Sequence, residues 1–199
     1  MVLICCIPSA EASFNWIDLF SAFGPVLLGL GGYMLAYWQI AKPLKAAKNE
    51  REIRSLSKKL NEFYGPFYQL RKKSNSLYDE FRKECERTDS TFTSTLNYLL
   101  EGKTFSGNAA VLLTEIIVIG EMCERIIHEK AGLIDHNEIR NDLLPRLTTH
   151  YRLLKLATEG KLKGGTENIG KYTFPTEIDG ILDIRIKELS SKIADLNRN

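Results

Sequence analysis

Hydrophobic positions along this chain fall into two kinds of run. Leu19 to Ala41 holds 23 positions without a charge, and its apolar residues occupy every helical face. Downstream, apolar residues return every third or fourth position, with charged residues between them. At ~1.5 Å rise per residue, the first run is long enough to span a hydrocarbon core of ~30 Å. The pattern predicts a transmembrane helix at 19–41, preceded by a short segment, 1–18. Trp16 and Phe20 at one end, and Tyr37 and Trp38 at the other, stand where interfacial aromatics gather.

The second kind of run begins with Ile53, Leu56, Leu60, Phe63, Phe67, Leu70, Leu77 and Phe81, with Ser74 interrupting the series. That spacing predicts an amphipathic helix facing a core or a partner. Residues 42–87 thus read as a basic linker and a long helix, kinked where Gly65-Pro66 falls inside the seam. The Ser-, Thr- and Gly-rich stretch 88–108 reads as a connection, with at most a short helical turn. Residues 109–130 are apolar nearly all round up to Ile119 and read as the central helix, with Glu115 facing solvent or a subunit interface. A further helix starts near Asp135 or Asn137, either of which can cap it, and kinks at Pro145 before ending near Glu159. A last helix places Ile178, Leu182, Ile186, Leu189, Ile193 and Leu196 on one face. No strand pattern occurs. The expected fold class is all-α: a single N-terminal transmembrane helix followed by a cytosolic helical bundle of about four helices, of which 88–199 is the remainder.

Charge orients this arrangement. All 27 Lys and Arg lie from Lys42 onward, and residues 42–59 hold seven of them against two acids. The positive-inside rule places the N-terminus outside and the bundle in the cytoplasm. Lys42, Lys45, Lys48, Arg51 and Arg54 set this topology or meet anionic lipid heads. Within the span, Ala22, Pro25, Gly29, Gly32, Ala36 and Gln39 recur at spacings of three or four, a small-residue seam of the kind that lets helices associate. The expected partners are therefore the lipid bilayer and further copies of the chain; direct nucleic-acid binding is not expected. Cys5, Cys6, Cys85 and Cys123 form no C-x-x-C and no Cys/His cluster, so no metal site and no cofactor is expected. Gly165 to Lys171 spells the start of a phosphate loop, but Tyr172 replaces the needed Ser/Thr and no strand precedes it.

The stretch "RNDLLPRLTTH", 140–150, carries the remaining candidate chemistry. Arg140 and Asn141 open it as a HEPN ribonuclease motif opens, but Pro145 stands where the His is needed, and a His comes only at His150. Arg146 and His150 share a face. The four residues could line one groove, as a remnant motif or as an ordinary polar face. The layout of anchor, basic linker, helical bundle and late Arg/His motif resembles the small membrane-anchored, HEPN-like accessory proteins of type VI-B CRISPR loci. That resemblance implies an oligomeric membrane effector that permeabilises or depolarises the bacterial inner membrane in antiviral defence, linked functionally to an RNA-guided effector. The alternatives are an anchored interaction or scaffold module without pore activity, and a membrane-tethered HEPN-type RNase. The displaced pair argues against an enzyme.

Overall fold

A computed structural model describes residues 16–89, 92, 94–162, 164 and 173–198, with side chains from Leu30 onward except that of Gly31. The described residues form six α-helices and no strand: α1 (Trp16–Lys59), α2 (Gly65–Thr88), α3 (Thr95–Leu100), α4 (Gly107–Glu129), α5 (Leu144–Thr158) and α6 (Ile178–Arg198). Two compact units divide the chain, Met1–Glu50 and Arg51–Asn199. The all-helical reading therefore holds, with five helices, α2 to α6, following α1 rather than about four.

In the first unit, the large apolar residues from Leu30 to Leu44 are bare. Leu30, Tyr33, Met34, Leu35, Tyr37, Trp38, Ile40 and Leu44 are 59% to 71% exposed. Lys42 sits over the Trp38 ring, 4.7 Å from its centroid. Among the described residues no helix is long and apolar enough to cross a membrane. Most of segment 19–41, including Ala22, Pro25 and Gly29, lies outside the described side chains, as do Cys5, Cys6 and the phosphate-loop look-alike at 165–171. No separate linker follows: α1 runs on through the basic stretch to Lys59. Its Ala, Lys, Glu and Arg are strong helix formers, and nothing after Pro43 breaks the run.

The second unit repeats one local device at two of its three prolines. A π-helical turn, Leu60–Tyr64, precedes Gly65-Pro66, and another, Ile139–Leu143, precedes Leu144-Pro145. In each, the residue before the proline donates its N–H to the carbonyl five residues back, Gly65 to Leu60 and Leu144 to Ile139. A proline inside an α-helix lacks the donor for the carbonyl four residues back and crowds that turn. One wide turn relieves both problems and lets the helix continue in register, so the expected kinks are π-turns. Gly65 is required for closeness: a Cβ there would stand 2.9 Å from the Leu60 carbonyl oxygen.

The core of this unit joins Phe63, Phe67 and Phe81 to Leu113, Ile119, Leu147 and Leu182, all at most 2% exposed. The connection at 88–108 contains α3, capped by Ser94 Oγ, which accepts from the Asn97 N–H at 3.5 Å. The α4 helix is not enclosed all round: Val111, Val118 and Met122 are exposed, as is Glu115. Neither Asp135 nor Asn137 caps the helix after it. The Ile139 N–H instead reaches His136 Nδ1 at 3.4 Å. Asp135 turns to the helices: it accepts from Lys59 at 2.6 Å, Tyr64 at 2.8 Å and Arg185 at 2.8 Å. Burial opposes its ionisation, but these three donors outweigh it and hold the carboxyl well below the usual range.

Candidate functional site

A cavity of about 360 Å³ lies among α2, α3, α4, α5 and the residues leading into α6. One wall is a buried polar network centred on Arg71, which is 1% exposed. Arg71 follows Phe67 by four positions and Ser74 follows Arg71 by three. Both therefore sit on the stripe that α2 turns to the core. The guanidinium grips Asp179 of α6 with two hydrogen bonds, Nε to Oδ1 at 3.1 Å and Nη2 to Oδ2 at 3.0 Å. Its Nη2 also donates to Asn75 at 2.7 Å, and Nη1 donates to the Tyr151 hydroxyl at 2.6 Å. Asn75 returns a bond to Asp179 at 2.7 Å, and Ser74 Oγ lies 2.9 Å from the Tyr151 hydroxyl. The Phe174 ring covers the guanidinium at 4.4 Å.

A charge this deep is tolerated because its counter-charge and hydrogen bonds are in place. The pair leaves the wall with no net charge. Gly120 of α4 admits the Tyr151 ring: a Cβ there would lie 2.4 Å from ring carbons. Burial raises the Tyr151 hydroxyl above its ordinary pKa, so it stays protonated at neutral pH. Burial also pushes the Cys123 thiol up to about 12 and the Cys85 thiol up to about 11, which keeps both as unreactive thiols. Among the described residues no group of three or more His, Cys, Asp and Glu could hold a metal ion.

The remaining lining is apolar and mildly polar. Leu96, Leu113, Ile116 and Leu154 form the floor, with Ser94, Thr95, Asn97 and Thr173 around it. Thr95 is 8% exposed, and its hydroxyl finds no hydrogen-bond partner among the described residues.

The residues of the 140–150 stretch do not meet in one groove. Arg140 donates to the Ile134 carbonyl beneath it, and Asn141 is exposed. Arg146 is held by Glu177 at 2.7 Å and Asp142 at 3.2 Å. Of the four, only His150 lines the cavity, where its ring packs edge-on against Phe174, 5.5 Å between centroids. The π-turn and Pro145 carry the Arg140 end of the motif onto the surface. Sequence reading passed over Arg71, Asn75, Thr95, Tyr151 and Asp179. One signal was available, since an Arg and a Ser occupy consecutive stripe positions of an otherwise apolar seam.

Lys42, Lys45 and Lys48 of the first unit and Arg51 and Arg54 of the second are all exposed, as are Gly32, Ala36 and Gln39 of the small seam. No protein-family model, curated protein or solved structure matches the chain.

Proposed function

We propose that the chain is a single-pass, membrane-anchored module whose helical bundle acts on the cytoplasmic side by binding. The observation that carries this reading is the bare apolar surface from Leu30 to Leu44. At ~100° per residue its large side chains wrap about 220° of the helix. The arc they leave holds Gly32, Ala36 and Gln39, and an exposed apolar surface of that extent marks a membrane or an interface. Two further features favour lipid. Trp38 and Tyr37 stand at the edge of the run, and exposed Lys42, Lys45 and Lys48 follow within the next turns. RNA cleavage is not part of the reading, because the guanidiniums of Arg140 and Arg146 are committed to protein acceptors.

Fractionation tests it. The protein should stay in the membrane pellet through an alkaline carbonate wash and leave it only with detergent. Protease added to inverted vesicles should digest the bundle, and protease added to spheroplasts should spare it. Release by carbonate alone would overturn the anchor.

One feature favours a second reading, the oligomeric, membrane-permeabilising effector. Gly32, Ala36 and Gln39 fill the arc of the helix that the large side chains leave open, and a Cβ on Gly32 meets nothing within 4 Å. Close helix contact along that arc would assemble copies of the chain. The mass of the full chain in detergent should then be a defined multiple, which Gly29→Leu with Gly32→Leu reduces. Dye efflux from liposomes carrying the assembly separates a pore from a scaffold. A monomer before and after substitution would remove the effector reading and leave the anchored binding module.

A further inference from the structure

We propose that the outer face of α4 is a self-association surface, on which the α4 helix of a second copy of this chain docks antiparallel. The helix has two faces. One buries Leu113, Ile116, Ile119 and Cys123 in the core. The other presents Val111, Glu115, Val118, Met122, Arg125 and Glu129, all exposed. Their spacing alternates between four and three residues, and at ~100° per residue they fall within about 80° of arc. That is the seam of a coiled coil rather than a scatter of surface apolar residues. Val118 and Met122 form its apolar centre. Charges of opposite sign flank them, Glu115 one step before Val118 and Arg125 one step after Met122. Among the described residues neither Glu115 nor Arg125 forms an ion pair.

The order of these residues selects the occupant. A twofold axis across the seam at the level of Gly120 brings Val118 against the partner's Met122 and Glu115 against the partner's Arg125. At the rim, Val111 meets the aliphatic stem of the partner's Glu129. An interface between identical copies requires this reciprocity, with each residue meeting its counterpart twice. Parallel copies would instead set Glu115 on Glu115 and Arg125 on Arg125, and like charges in contact reject that arrangement. Glu121 flanks the axis, and Lys155 of α5 neutralises it in each copy. A single helix pair buries less than the ~1,200 Å² of a stable interface. The contact is therefore weak and reversible.

Cross-linking tests this, because it traps weak contacts and reports register. Two differently tagged full chains would be co-expressed, one carrying Glu115→Cys and the other Arg125→Cys. Both also carry Cys5→Ser and Cys6→Ser, while Cys85 and Cys123 are buried. The sample would be membranes or buffer, as fractionation dictates, and the linker a short bis-maleimide. The mixed sample should give a covalent dimer joining both tags, and either chain by itself should give little. Met122→Glu in both copies should cut that yield about tenfold, since it places a carboxylate in the apolar contact. The melting temperature should stay level, because the position is exposed. Equal dimer from the single-variant samples would overturn the antiparallel register. No dimer from the mixed sample, or a yield that Met122→Glu leaves unchanged, would overturn self-docking and leave the face to an unlike partner. None of these outcomes depends on whether residues 19–41 cross a bilayer.

Discussion

Leu30 to Leu44 and Leu56 to Phe81 both carry large apolar side chains at helical spacings, yet their fates are opposite. Every large apolar residue of the first group is at least 59% exposed, whereas Leu56, Phe63, Phe67 and Phe81 are at most 6% exposed. The difference lies in what stands between the apolar positions. In the second stretch Lys58, Glu62, Lys72, Lys73 and Asp79 give one side of the helix to water and leave the other for the core. In the first, no charge interrupts the run until Lys42. An amphipathic helix solves its solvation problem by packing one stripe. A helix apolar on most faces needs apolar surroundings, which under the proposed function are those of the bilayer.

That contrast can be broken most sharply at Arg71. Arg71→Met should destabilise the bundle by about 3–5 kcal/mol, because it strands Asp179 and removes the donor to Tyr151. Chemical denaturation followed by tyrosine fluorescence checks this. A loss below about 1 kcal/mol would mean the network is not structural. Next in size is a matched pair of truncations. Leu147→Ala, at a fully buried position, should cost about 2–5 kcal/mol. Leu35→Ala, at a position 67% exposed, should leave denaturation of the bundle unchanged within about 0.5 kcal/mol. Its effect should fall on membrane retention. Equal effects of the two on bundle stability would abolish the distinction between the regions.

The smallest expected effect concerns pH. The Asp135 carboxyl is depressed in the folded chain by Lys59, Tyr64 and Arg185. A depressed carboxylate stabilises the fold at pH values above its unfolded pKa, and that contribution fades as pH falls through the folded value. Because the pairs are partly exposed, the contribution is about 1–2 kcal/mol. Asp135→Asn should lower stability at pH 7 and converge with the parent in strong acid. Parallel curves at all pH values would show that the carboxylate carries no such charge-linked stability.

Much of the fold was legible because helices are written locally. Periodicity located the buried stripes of α2 and α6, and Gly65-Pro66 and Pro145 marked the sites of both irregular turns. The form of those turns was not legible, since a kink and a π-turn answer the same local conflict. The basic stretch expected as a linker continues α1 to Lys59, because its residue types favour helix.

The candidate site was far less legible. The HEPN-like stretch drew attention because its residues are near in sequence, yet the structure spreads Arg140 and Arg146 onto surface partners and sends only His150 to the cavity. Arg71 and Asp179 stand 108 positions apart, and Asp135 meets Lys59 across 76. By itself, then, the sequence determined the helical class, the stripes of α2 and α6 and an uncharged run of 23 positions. Those properties follow from spacing and composition within a few turns. Only the tertiary structure decided that Arg71 is a core residue, that Tyr151 fits against Gly120, and that Thr95 is buried with its hydroxyl unpaired among the described residues. Such partnerships form between helices brought together by packing, and no local spacing records which side chains will meet.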